Sequence, residues 1–343
     1  MRAASALRAA AVPACAASLA AARREARCEG SPAPTLREWL DRGPYAVTWS
    51  QGFGCEVASL GATLALCDAA GGEANFRASL VAVSGASSGA KIAALVATPT
   101  ASLEAFGAAA TRVRFRDVLL DARDTALSRG GLCGGSALRR LLERHVGASA
   151  TIGDLALPFG CSAFDAVSLE PINLTAGGVV ECCLASGAFP LLFPPVTVGG
   201  RLLTDAAFFT DASGARALPG TPRRVLQIAH ADFPFNGPWV VERPSTLGGA
   251  DVASLVVTGA ARVLPLPPGA MPRTKAALDG ARAAVRDCLD APMRRGAETG
   301  HYLALAVAPR VPETDAIDRA NRRTRLGLAV CAAALVALAR PRR

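Results

Sequence analysis

Residues 80–96 read LVAVSGASSGAKIAALV, a short apolar run that breaks at two glycines and resumes with apolar residues at helical spacing. Leu80–Ser84 has the length and composition of a buried strand, and the residues after Gly89 read as a helix through about Val96. A strand that turns directly into a helix across Gly85-Ala86-Ser87-Ser88-Gly89 leaves little freedom. The serine at its centre needs unusual backbone angles, and the flanking glycines remove Cβ atoms that would clash there. Read this way, Ser87 is a candidate nucleophile at the head of a helix whose dipole favours a developing oxyanion. Ser84 and Ser88 read as turn residues.

The rest of the chain fits the same plan. Ala46–Ser50 reads as a second buried strand, followed by a glycine-containing turn at Gln51–Gly54 and an apolar helix that Gly71-Gly72 stop near Ala70. Strand-like runs recur near Leu157–Phe164, Arg201–Thr204, Val225–Ala229 and Tyr302–Val307. Helical runs recur near Ser136–His145, Val179–Ala185, Lys275–Leu289 and Thr314–Leu338. Short apolar strands alternating with helices predict an α/β fold with a mostly parallel central sheet. Residues 1–43 read as an N-terminal extension, 44–215 as a catalytic core, and 216–343 as the C-terminal part of the same α/β domain, with a basic, apolar terminal helix. The Pro-rich stretches 233–244 and 264–272 read as surface loops.

Composition excludes several classes. Of 343 residues 51% are hydrophobic and 19% charged, so the chain is neither disordered nor collagen-like. Much of that hydrophobicity is alanine, and no apolar run is long enough to span a bilayer. The two ends carry +8 of the net charge of +9. No aromatic residues interleave with a basic face, which argues against nucleic acid. Basic ends beside apolar stretches favour peripheral contact with a membrane or lipid-droplet surface. Met1–Ala26, with four arginines before any acidic residue but Glu25, suits an organelle transit peptide or an Ala-rich helix. Leu326–Ala339 is too short to cross a bilayer and reads as a terminal core helix. Ten cysteines occur without a C-x-x-C pair or zinc-like spacing. They predict free thiols, no structural metal, and an intracellular site, organellar or membrane-peripheral. Asn173-Leu-Thr175 is a lone glycosylation sequon.

A nucleophilic serine needs a base. Asp205 ends the run Arg201–Thr204 among apolar neighbours, whose desolvation would raise its pKa and suit it to accept the hydroxyl proton. The chain has three histidines. His145 sits in a charged helix and reads as solvent-facing; His230 ends a strand and reads as structural. His301 would complete a Ser87–Asp–His order of the α/β-hydrolase kind, with Asp205 or Asp232 as the acid.

The joint order of these segments resembles the patatin-like acyl hydrolase family over roughly residues 46–215. Ser50-Gln51-Gly52-Phe53-Gly54 followed by Gly61 stands where that family has its Gly-rich loop, and Gly85–Gly89 matches its G-x-S-x-G. Gly131-Leu132 with Gly135–Arg139 resembles the lead into a middle helix. Ala185–Pro190 with Phe193–Val196 is similar to the A-S-x-A-x-P…F-P-P-V run, and Gly200–Asp205 to G-x-x-x-x-D. The resemblance implies a three-layer α/β/α fold. It also implies a Ser87–Asp205 dyad without histidine, metal or organic cofactor, and an oxyanion hole from the N–H groups of Gly52, Phe53 and Gly54. The implied substrate is a lipid ester, phospholipid or neutral glycerolipid, cleaved through an acyl-enzyme. Phe189, Leu191, Leu192, Phe193, Phe208 and Phe209 would line its acyl cleft. Gln51 and Phe53 stand where the family has glycines, and Ala206-Ala207 follow Asp205. Those departures motivate a second reading, a catalytically impaired relative that binds lipid or a protein partner.

Overall fold

The computed structural model describes residues 33–52, 56–112, 130–131, 133–190, 192–205, 214–230, 241–258 and 274–309. The strands are β1 (Tyr45–Trp49), β2 (Leu80–Ala86), β3 (Phe159–Asp165), β4 (Glu170–Leu174), β5 (Val196–Val198), β6 (Arg201–Thr204), β7 (Arg224–His230), β8 (Asp251–Thr258), β9 (Arg294–Arg295) and β10 (His301–Val307). They form one sheet in the order β5-β6-β3-β2-β1-β7-β8-β10-β9, with β4 on β3. The six central strands, β3-β2-β1-β7-β8-β10, are all parallel, and antiparallel pairing is confined to the two margins. The α/β fold with a mostly parallel central sheet is thus as expected. Strand order runs outward from β1 in both directions, so the sheet switches direction between β1 and β7. The crevice at the carboxyl ends of such a pair is where open α/β sheets bind ligands.

The helices are α1 (Leu36–Leu40), α2 (Glu56–Ala69), α3 (Glu73–Ala78), α4 (Ser88–Ala97), α5 (Leu103–Ala110), α6 (Ser136–Val146), α7 (Val179–Ser186) and α8 (Thr274–Cys288). All ten residues of α4 are buried, as are Ala58 to Cys67 of α2. A helix apolar on every side belongs inside a protein, and these two are covered by α7, α5 and α8. Gly61 lies so close to the Leu278 carbonyl that any Cβ there would collide with it, which sets how tightly α2 and α8 approach. Gly71 and Gly72 take φ of 79° and 127° and end α2, as their place in the sequence predicts. The 3₁₀ turn Gly214–Ala217 lies against β1, β2 and β3 and accepts a hydrogen bond from Ser84. The helix expected at 314–338, the run Leu326–Ala339, residues 1–32 and the Pro-rich stretch 264–272 lie outside the described residues, as does most of 233–244.

The sequence passes over β4, β5, β8 and β9, of which β8 matters most. Asp251–Thr258 is a largely buried strand between β7 and β10. The cysteines at 67, 133, 161, 182, 183 and 288 are buried thiols that form no disulfide. Burial pushes the thiols of Cys67 and Cys183 up to about 12. No described helix is long and apolar enough to cross a membrane.

Candidate active site

The carboxyl end of β2 runs into α4 through Ser87, which takes φ 53° and ψ −115°. An L-residue held there costs on the order of 1–3 kcal/mol, and such outliers concentrate at functional sites. The glycines around it hold backbone against backbone. A Cβ on Gly85 would strike Gly89, one on Gly89 would strike the Trp49 carbonyl at the end of β1, and one on Gly214 would strike Gly85. None of the three has positive φ; the glycines serve close approach, and the strained angle falls on the serine itself. Ser87 is 9% exposed. Its N–H donates to Ser186 Oγ at 2.8 Å, and that hydroxyl donates to the Ser162 carbonyl at 2.6 Å. Ser84 and Ser88 are not turn residues: Ser84 lies within β2, donates to Gly214 O and lies 3.0 Å from Thr48 Oγ1, and Ser88 is the buried first residue of α4.

Asp205 is buried, and sheet register shows where it lies relative to Ser87. Cys161 and Ser162 of β3 pair with both β2 and β4, so those strands occupy opposite edges of β3. Phe164 and Asp165 pair with both β4 and β6, so β6 lies on the edge that β2 occupies. The two strands meet end to end there. β2 stops with Ala86 opposite Ser162, and β6 arrives from the other direction with Thr204 opposite Phe164. Ser87 and Asp205 are the next residues of each chain, and continuing either register by one residue brings it opposite Ala163. The last residue of α7 and the segment after it hold both backbones. Ser186 binds the Ser87 N–H, and the Ala188 carbonyl accepts from Asp205 N at 3.1 Å and from Thr204 Oγ1 at 2.6 Å. Sequence reading finds this segment as a motif but misses the work of Ser186, which looks like any serine near a helix end.

Gly52 is buried just beyond β1, at the switch between β1 and β7, where Ser50 N donates to the Ile228 carbonyl. Phe53, Gly54 and Cys55 lie outside the described residues. The helix α2 that follows this loop is pinned at three points along one face. Glu56 Oε1 lies 3.5 Å from Nζ of the buried Lys91 on α4, Ser59 Oγ lies 2.6 Å from His230 Nε2 on β7, and Thr63 Oγ1 accepts from Trp49 Nε1 on β1 at 2.9 Å. Burial lowers the His230 pKa to about 4, so the ring is neutral at pH 7.

His301 does not join Ser87. It opens β10, four places from β2 in the sheet, at the amino end of a strand parallel to the one whose carboxyl end carries Ser87. Its Nε2 lies 3.2 Å from the buried Ser254 Oγ. The sequence misplaces it because chain order says nothing about which end of which strand a residue occupies. His145 is not solvent-facing either; its ring packs edge-on against Phe106 at 5.2 Å, and desolvation lowers its pKa. Phe189, Leu192 and Phe193 are part-buried in the stretch that leads from α7 to β5, while Leu191, Asp232, Phe208, Phe209 and Ala206-Ala207 lie outside the described residues. A cavity of about 260 Å³ between Arg216, Leu218, Val225 and Leu247 opens near the amino ends of β7 and β8, away from Ser87. Among the described residues no group of three or more His, Cys, Asp or Glu is arranged to hold a metal ion.

Residues 51–218 match the family model described as patatin-like phospholipase. No curated protein matches the chain. Among solved structures, it is similar to VipD from Legionella pneumophila, at 13% identity and a TM-score of 0.39 over 73% of this chain and 67% of that one. It is also similar to the structure of the heterodimeric ExoU–SpcU complex from the type III secretion system of Pseudomonas aeruginosa, at 16% identity and a TM-score of 0.42 over 72% of this chain and 51% of that one. The chain thus spans about two thirds of the first and about half of the second.

Proposed function

Residues 51–218 are a patatin-like domain, and from that premise we propose that the protein is a serine acyl hydrolase that cleaves lipid esters through Ser87 and Asp205. The observation that carries this reading is the end-to-end meeting of β2 and β6 on one edge of β3, with the strained Ser87 leaving one strand and Asp205 the other. The substrate is a phospholipid or neutral glycerolipid. The catalytic core spans 44–215, and residues 216–343 complete the same α/β domain.

In this mechanism Asp205 takes the proton of the Ser87 hydroxyl as Oγ attacks the ester carbonyl carbon. The carbonyl π electrons move to oxygen, and that oxyanion is held by N–H groups of Gly52, Phe53 and Gly54 beside the amino end of α4. The intermediate collapses, the C–O bond to the alcohol breaks, and the leaving oxygen takes the proton from Asp205. Water then attacks the acyl-enzyme with Asp205 again as base, and release of the fatty acid restores Ser87.

The test is labelling by a fluorophosphonate and turnover of a short-chain ester, compared with Ser87→Ala, Asp205→Ala and His301→Ala. Loss in the first two and retention in the third is expected. A folded wild type that neither labels nor turns over would overturn the hydrolase reading in favour of a lipid-binding relative.

A further inference from the structure

Six large apolar side chains are exposed among the described residues, and three of them sit together. Val167 and Leu169 occupy the turn between β3 and β4, at 78% and 69% exposure. Leu202 of β6, at 40%, lies beside them, its carbonyl accepting from Ala166 N at 2.9 Å. This turn is at the carboxyl end of β3, the end at which Ser87 and Asp205 meet. It begins three residues beyond Ala163, roughly 10 Å at about 3.3 Å per residue.

The turn is built unlike an ordinary wet loop. All four of its N–H groups are bonded within the protein. Ala166 donates to Leu202 O, Val167 and Ser168 to Asp165 Oδ1 at 2.9 and 3.2 Å, and Leu169 to Asp165 O at 2.9 Å. An unbonded N–H is what makes a loop costly to move out of water, and here every donor has a partner. Leu169 also takes a φ of 59°, a conformation that glycine or asparagine adopts more readily. The backbone is thus strained at a position that turns a leucine toward solvent. Beside the apolar tip stands Arg201, its side chain 60% exposed and its Nη1 3.6 Å from Asp165 Oδ2. At that distance the contact is an ion pair without a hydrogen bond, and the guanidinium has donors to offer a further anion. The one further charge at the turn is the exposed Glu170, which would be repelled by a strongly anionic surface.

Exposed apolar side chains, bonded backbone donors and an exposed cation beside them suit a lipid interface, in which an apolar face enters about 5–10 Å and cations meet the phosphates. We propose that the turn 166–169, with Leu202 and Arg201, rests on a zwitterionic phospholipid surface and holds the mouth of the Ser87 site against it. This rests on the reading of Ser87 as the nucleophile of a lipid hydrolase.

The test uses the full chain and phosphatidylcholine vesicles. A Val167→Ser/Leu169→Asn variant removes the apolar tip, and asparagine keeps the left-handed turn. Co-sedimentation with vesicles and hydrolysis of vesicle phospholipid are expected to fall by roughly tenfold or more. Hydrolysis of a dissolved short-chain ester is expected to stay within about twofold, since the tip lies outside the reacting groups. Val167→Trp is expected to bind more tightly, with a blue-shifted emission on adding vesicles. Vesicle binding unchanged in the double variant, or a wild type that does not bind vesicles, overturns the proposal even where the dissolved ester is turned over. Ester turnover that survives Ser87→Ala overturns the hydrolase reading instead. The co-sedimentation arm needs no activity, so the two failures are distinguishable.

Discussion

Among the described residues two places pair a serine with a histidine, and the candidate site at Ser87 is built differently. Ser59–His230 at 2.6 Å and Ser254–His301 at 3.2 Å have the composition of a nucleophile and its base. Both serines are fully buried within regular elements, one on α2 and one on β8. Burial lowers the pKa of both histidines, and each pair joins two packed elements. Ser87 instead sits at a strained junction at the carboxyl end of the sheet, with its backbone N–H held by Ser186. The contrast shows that neither residue type nor contact distance makes a nucleophile. Strain, position at the open end of a strand and a held backbone separate the candidate site from two pieces of internal bracing.

The sharpest way to break that contrast is to exchange roles. Ser87→Ala and Asp205→Asn are expected to lower ester turnover at least a thousandfold, whereas His301→Ala is expected to leave it within about twofold. A collapse of turnover in a folded His301→Ala protein would erase the distinction. The bracing role of His230 has a pH signature. Its folded pKa is depressed to about 4 from 6.5, so between these values the unfolded chain binds the extra proton. Its contribution is therefore present above pH 6.5 and lost as pH falls toward 4, on the order of a few kcal/mol. Denaturant midpoints of wild type and His230→Gln between pH 7 and 4 should converge as pH falls; parallel curves would refute the bracing role.

The tie between α4 and α2 predicts an asymmetry. Glu56→Gln leaves the buried Lys91 ammonium uncompensated, and about 2 kcal/mol of stability is expected to go; Lys91→Met, which removes the buried charge, is expected to cost less. Calorimetry of both variants decides it. Ser186→Ala strands the Ser87 N–H and is expected to cost about 1–2 kcal/mol. The fluorophosphonate labelling rate should fall by roughly tenfold through loss of nucleophile placement. Labelling at the wild-type rate would reduce Ser186 to packing. The smallest effect has the opposite sign. Ser87→Gly should be more stable than Ser87→Ala by about 1 kcal/mol, because glycine relieves the positive φ.

The parts of this arrangement legible in the sequence were local. The run from Leu80 to Val96 announced strand, elbow and helix, because apolar periodicity and two glycines are properties of neighbours in the chain. Arg201–Thr204 with Asp205 was legible for the same reason. The contributions of Ser186, Glu56 and Lys91 were not, since each acts on a residue 30 to 100 positions away. His301 fits a triad by chain order alone, while strand direction puts it at the opposite end of the sheet from Ser87. Asp251–Thr258 went unread as a strand, and β8 is fixed by its neighbours in the sheet.

The meeting of β2 and β6 along one edge of β3 makes β3 a ruler. The spacing between Ser87 and Asp205 is counted in residues of a third strand that contributes neither of them. A side-chain change at Ala163 alters what lies under the gap but not its length. A single-residue insertion or deletion between Ser162 and Phe164 would change the count and turn every later side chain of β3 to the other face. Tolerance of the site is therefore set less by which residues line it than by how many separate two points on a neighbouring strand.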